Sequence, residues 1–149
     1  MCKSWKQKRN KPQKTSLERF VGELTTVKCS QDSEAIFREN WGDNKELLEE
    51  FNVLFLNRAN RVKGLFKLFR GGISGTIVDL KILFSAALKG VTPVIILAHN
   101  PPSGNLKPSN QDIQLTTRMK EAAKQFEIEV LDHLIINAGY YSMADEGLC

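Results

Sequence analysis

Three short apolar runs constrain this 149-residue chain more than anything else in it: Phe51-Asn52-Val53-Leu54-Phe55-Leu56, Val94-Ile95-Ile96-Leu97-Ala98, and the stretch from Ile128 to Ile136. None is long enough to span a bilayer as a helix. Runs of this length with almost no polar alternation belong to strands buried on both faces, so the sheet they form needs helices over it. Hydrophobic residues make up 42% of the chain and charged residues 26%, the balance of a soluble globular domain.

The segments between the runs supply those helices. A strand over Val21 to Lys28 is expected, followed by a helix to about Asn40 with Ser30 or Asp32 as its cap. Trp41-Gly42-Asp43-Asn44 is turn chemistry, and Lys45 to Glu50 approaches the strand at 51–56. Asn57 to Asn60 then turns into an antiparallel partner running from Arg61 to about Arg70. Gly71, Gly72 and Gly75 break that strand but lack the spacing and lysine of a phosphate-binding loop.

From Asp79, a capping residue, Ile82, Leu83, Ala86 and Ala87 follow helical spacing to Gly90. A last helix opens at Ser109 and carries Leu115, Met119, Ala122 and Phe126 as an apolar stripe expected to face the sheet. Tyr140-Tyr141-Ser142 is a short final strand. The sum is an α/β layer structure: a mixed sheet flanked by helices, with no internal repeat.

Charge is unevenly placed. Lys3, Lys6, Lys8, Arg9, Lys11 and Lys14 precede the first acid, Glu18, and without them 15 basic residues face 17 acidic ones, a net of −2. Residues 1–20 therefore read as a basic, disordered tail ahead of a domain over 21–149. Such a tail can meet nucleic acid phosphates, or simply stay solvated. No apolar segment follows the early lysines, so a secretory signal is not indicated and a cytoplasmic location is expected, away from membranes. Cys2, Cys29 and Cys149 are spread too widely for a thiolate zinc site and read as free thiols.

The chemistry concentrates where the run at 94–98 ends. His99-Asn100-Pro101-Pro102-Ser103-Gly104 leads through Pro108 to Ser109-x-x-Asp112. His99 and Asp112 are two residues of the types that hold zinc, and Glu49 or Glu50, before the strand at 51–56, offers a carboxylate to take a proton from a metal-bound water. A plainer assignment stands beside it: Ser109-x-x-Asp112 is a capping box, and Asn100 and Ser103 suit turn hydrogen bonds. His133, beside Asp132 in a buried strand, reads as a satisfied core residue.

These motifs, with Asp132-His133-Leu134-Ile135 and the following Tyr140-Tyr141-Ser142, resemble the RadC-like branch of the JAMM/MPN metalloprotease family over about residues 24–149. That family's loop reads His-x-His, seven residues, Ser-x-x-Asp, with a glutamate just before an upstream strand, and the present chain follows it without gaps. The resemblance implies the JAMM/MPN fold of cytidine-deaminase-like type. It makes His99 the first zinc ligand, Asp112 the third, Ser109 the hydroxyl that helps hold a tetrahedral oxyanion, and Glu49 the general base.

The family's second histidine falls on Pro101, which has neither an imidazole nor a backbone N–H. Two functions follow as expectations: a zinc-dependent metallopeptidase or isopeptidase-type hydrolase with a degenerate metal site, acting on a peptide or protein, or a metal-poor, catalytically inactive binding module. The family name also carries a DNA repair label. Longer RadC-like chains bear an N-terminal helix-hairpin-helix region, for which the stretch before Leu24 is too short and too polar. A nucleic acid accessory role therefore rests on the basic tail.

Overall fold

The apolar run at 51–56 becomes the middle strand of a seven-stranded sheet. The computed structural model describes residues 2–4, 16–22, 25–41, 48–71, 78–101 and 103–149. Along the chain these form β1 (Cys2–Ser4), β2 (Ser16–Gly22), α1 (Ser30–Asn40), β3 (Glu49–Leu56), β4 (Val62–Gly71), α2 (Leu80–Lys89), β5 (Val94–His99), α3 (Asn110–Gln125), β6 (Glu129–Ile136) and β7 (Tyr140–Ser142). The strand order is β1-β2-β4-β3-β5-β6-β7. All neighbours are antiparallel except β5 and β6, which run parallel because α3 crosses between them. The mixed sheet flanked by helices is the architecture of the JAMM/MPN fold.

Both faces of the sheet are covered, as the apolar runs require. Phe51, Val53 and Phe55 of β3 join Ile95 and Leu97 of β5 beneath Leu83, Phe84 and Ala87 of α2 and Met119 and Ala123 of α3. On the other face, Leu54 and Leu56 join Ile96, Ala98 and Leu134 beneath Phe37 of α1, with Trp41 just past its end. Period-two alternation within each strand therefore serves two cores, and every residue of β5 is buried.

Helix ends follow local chemistry. Asp79 caps α2 by accepting from the Lys81 N–H at 2.9 Å, and the Lys63 ammonium meets the Gly90 and Val91 carbonyls at the far end. At α1 the capping position is Cys29, which supplies no side-chain bond. Asp32 instead accepts from the Lys28 N–H at 2.8 Å, and the Ser30 hydroxyl turns to Asp145 and Tyr140. Cys29 and Cys149 are free thiols.

Four expectations need correction or restatement. The strand expected over Val21 to Lys28 lies instead at Ser16–Gly22, as β2, while Thr25 to Val27 pair with the β3–β4 turn through a Thr26–Arg61 bridge and two flanking backbone bonds. Of the expected tail, Cys2–Ser4 and Ser16–Phe20 lie in strands, so a boundary at residue 20 falls inside β2. Residues 5–15, with five of the six early basic residues, lie outside the described residues, as do 42–47 and Gly72 and Gly75.

The fourth concerns α3. Thr116, Met119 and Ala123 are its buried residues, Leu115 and Ala122 flank them, and Phe126, at the C-cap, is 47% exposed with its ring set against Phe84. The buried stripe is centred about one position later than apolar spacing alone suggested. Its first and polar member, Thr116, is held inward by a hydrogen bond to the buried His133. Among the described residues, no helix is long and apolar enough to cross a membrane.

Candidate functional site

Strand register brings the site together. Phe51 lies opposite His99 in the β3–β5 pair, so the residues just before β3 lie alongside the loop that leaves β5. Asn100 fastens the two: its Oδ1 accepts from the Glu50 N–H at 2.6 Å and its Nδ2 donates to the Leu48 carbonyl at 2.8 Å. Asn100 is therefore a buried strut. Ser103 accepts from the Asn105 N–H at 3.3 Å, a turn contact.

His99 ends β5 and is 4% exposed. Its ring stacks on Phe51, and its two nitrogens have different surroundings. Nδ1 meets His133 Nε2 at 2.8 Å, deep in the fold; Nε2 faces Asp112 Oδ1 at 3.3 Å, towards the surface. Burial holds the imidazole below its ordinary proton affinity, opposed first by the charge of Asp112 and then by that of Glu49. Glu49, the first residue of β3, is thus electrostatically coupled to His99.

Asp112 sits in the first turn of α3 and has two tasks. Its Oδ2 accepts from the Ser109 N–H and the Ser109 hydroxyl, each at 2.7 Å, and Ser109 Oγ accepts from the Asp112 N–H at 3.1 Å. That is the capping box expected from Ser109-x-x-Asp112. Its Oδ1 is left to His99. Pro101 stands between these groups in sequence, half-buried, its carbonyl accepting from the Gly104 N–H at 3.1 Å.

Behind His99 lies a residue assigned to the core by its sequence. His133 is fully buried, as expected, yet it also touches the site: Nδ1 meets Thr116 Oγ1 at 2.6 Å, and Thr116 Oγ1 donates to the Asp112 carbonyl at 2.7 Å. Burial, and then the neighbouring His99, push the His133 ring well below its ordinary value. Strand register accounts for this contact: side chains alternate along a strand, and the β5–β6 pairing sets Leu97 opposite His133, placing both histidines on one face. Thr116 is four residues from Asp112, one turn along the same helix face.

A catalytic zinc ordinarily takes three protein ligands and leaves one position open. Here His99 Nε2 and Asp112 Oδ1 are two donors, and Pro101 supplies no side-chain donor. Asn100 is occupied, and both ring nitrogens of His133 already have partners. Among the described residues, no group of three His, Cys, Asp or Glu side chains could hold a metal ion. Among the described residues the donor set does not fit a three-ligand zinc.

Comparison with known proteins places this geometry in a lineage. Residues 27–148 match the family model described as the RadC-like JAB domain. Over 126 residues the chain is 42% identical to a UPF0758 protein of Flavobacterium johnsoniae, covering 84% of this chain and 54% of that protein. A UPF0758 protein of Porphyromonas gingivalis is 45% identical over 102 residues, 67% of this chain and 45% of the relative. One from Staphylococcus carnosus is 43% identical over 100 residues, 66% and 44% respectively. The chain spans about half the length of the curated relatives it matches.

Proposed function

The chain belongs to the RadC-like JAB domain family, and from that premise we propose that it is a metal-poor, catalytically inactive binding module for a peptide or protein segment. The observation that carries this reading is Pro101. By the family resemblance it stands where a second histidine would be, and among the described residues no third His, Cys, Asp or Glu joins His99 and Asp112 in a group that could hold a metal. Loss of supporting groups around a metal typically costs about 10–100-fold in affinity, so loss of a direct ligand should cost more. What remains is an imidazole nitrogen and a partly exposed carboxylate oxygen at the end of a strand, a pair suited to hydrogen-bonding a bound chain.

One distance favours a second reading, a zinc-dependent metallopeptidase or isopeptidase-type hydrolase. Two ligands at ordinary zinc–nitrogen and zinc–oxygen lengths around a tetrahedral ion stand about 3.3 Å apart. His99 Nε2 and Asp112 Oδ1 are 3.3 Å apart. On this reading Glu49 would be the base and Ser109 the oxyanion-holding hydroxyl. Ser109 would first have to turn from the Asp112 carboxylate that its hydroxyl now serves.

Elemental analysis separates the two, performed on the untagged natural chain and on Pro101→His purified identically. The binding-module reading expects about one zinc per chain in the variant and far less in the natural protein. Stoichiometric zinc in both would overturn it and send the natural chain to peptide and isopeptide hydrolysis assays.

A further inference from the structure

One arginine on the far face of the sheet holds the turn against which the site loop rests. The His99 and His133 rings pack against Phe51 on the face covered by α2 and α3, whereas α1 covers the other face. Near the end of α1, Arg38 gives its Nε–H to Glu34, one turn back, and turns the rest of its guanidinium to the β6–β7 turn. Nη1 donates to the Asn137 carbonyl at 2.8 Å, and Nη2 to the Gly139 carbonyl at 3.0 Å and, at 3.4 Å, to that of Ala138. Three successive carbonyl dipoles aimed at one point repel one another. A cation with a fixed planar fork of donors lets them converge.

That turn meets the loop of residues 103–109 at two places. A Cβ added at Gly139 would stand 3.4 Å from Leu106 Cδ1, and one added at Gly104, where φ is +72°, would stand 3.7 Å from Asn137 Nδ2. A glycine on each side thus allows a close approach. The loop's own hydrogen bonds are short in reach: the Gly104 N–H to the Pro101 carbonyl, the Asn105 N–H to Ser103 Oγ and the Lys107 N–H to Asn105 Oδ1 each span two or three residues. Bonds of that kind shape a loop without fixing where it sits on the sheet. The packing of Leu106 on the turn supplies that.

We propose that Arg38 is a positioning residue for the site: by gathering the carbonyls of residues 137–139 it fixes the platform under Leu106, and through Leu106 the loop that brings Ser109 and Asp112 opposite His99. The coupling passes from one face of the sheet to the other around the end of β6. Its functional meaning rests on reading His99 and Asp112 as a binding site. The coupling itself does not.

Amide nitrogen-15 spectra and long-range imidazole correlations of the untagged chain test this, with zinc measured on the same samples. The chain has two histidines, so the ring of His99 is readily followed. Arg38→Ala should move the amide signals of Gly104 to Lys107 and the ring signals of His99, while the buried Leu54 and Ile95 amides stay in place. Shifts confined to α1 and the turn would show that Arg38 only ties α1 to the sheet, and would overturn the proposal. Loop shifts with His99 unmoved would overturn it too. Leu106→Ala should move the same loop signals by itself, and adding Arg38→Ala should move them little further. Additive shifts in the double variant would overturn the route through Leu106. If Arg38→Ala does not fold, Glu34→Ala decides, since it removes only the carboxylate that holds Nε. It should shift the same loop and ring signals by a smaller amount, and unmoved signals there would overturn the proposal. Zinc in the natural sample would sink the metal-poor reading and leave the coupling standing.

Discussion

Two aspartates, one within β6 and one at the start of α3, use similar hydrogen bonds for different ends. Asp132, on β6, is 6% exposed: its Oδ2 accepts from the Ser142 hydroxyl at 2.6 Å and its Oδ1 from the His133 and Ala144 N–H groups at 2.7 and 2.9 Å. Asp112, on α3, also takes a serine hydroxyl and a backbone N–H, but on one oxygen only, and turns the other to His99. Both oxygens of Asp132 close the fold around β7, whereas Asp112 holds one in reserve at the surface. A carboxylate with an oxygen left over marks the site, and one without marks a structural clasp.

The largest expected effect tests the clasp. Asp132→Ala leaves the buried Ser142 hydroxyl and His133 N–H and the half-buried Ala144 N–H without their acceptor, and each buried loss costs about 1–3 kcal/mol. A destabilisation of about 3 kcal/mol or more is expected from urea unfolding followed by circular dichroism. A loss below about 1 kcal/mol would dissolve the distinction between the two aspartates.

Acid sharpens the comparison, because the histidines between the aspartates respond oppositely to Asp132. His99 and His133 are held below their ordinary value of 6.5, chiefly by burial. The unfolded chain therefore accepts protons below about pH 6.5 that the folded rings refuse. Their contribution to stability is complete above that pH and is lost as pH falls. The loss begins as pH falls through the ordinary value of 6.5 and is larger for His133, whose ring is held further below it than that of His99. Burial raises the Asp132 carboxyl, against its bonds from Ser142, Ala144 and His133, so its contribution is present at low pH and is lost as pH rises through the raised value. Melting should fall steadily from pH 7.5 to 5.5. A rise over that range would show the carboxylate outweighing the ring pair.

The same contrast shows what could be read before any coordinates. The two cores were legible because Phe51 to Leu56 and Val94 to Ala98 are continuous apolar runs, which only a doubly covered sheet accommodates. Ser109-x-x-Asp112 was legible as a cap because its partners are three residues apart. The approach of His133 to His99 was not, since 34 residues separate them and only the register of two parallel strands brings them together. Thr116 was missed for a related reason: apolar spacing favours Leu115, while the hydrogen bond to a buried ring selects its neighbour. The first strand was misplaced because Thr25 to Val27 have strand-like residues but find a turn as their partner.

Asp112→Ala should cost less than the change at Asp132, about 1 kcal/mol, because it removes half a capping box from a helix end that water can reach. Denaturation of the two variants side by side gives the ratio directly. An Asp112 loss as large as that at Asp132 would mean that its pairing with His99 stabilises the fold, making Oδ1 a second clasp.

The smallest effect is the most discriminating at the surface. Ser109→Gly keeps a backbone suited to the capping position and removes the hydroxyl that donates to Asp112 Oδ2. Replacing a cap by glycine costs only a few tenths of a kcal/mol. The Ser109 N–H still reaches the carboxylate in the variant, so Asp112 Oδ1 should remain opposite His99 and the imidazole correlations should keep their natural positions. If the His99 signals move with this substitution while stability does not, the serine hydroxyl sets the orientation of the carboxylate. The reserve oxygen of Asp112 would then depend on Ser109, and the site would extend to the first residue of the cap.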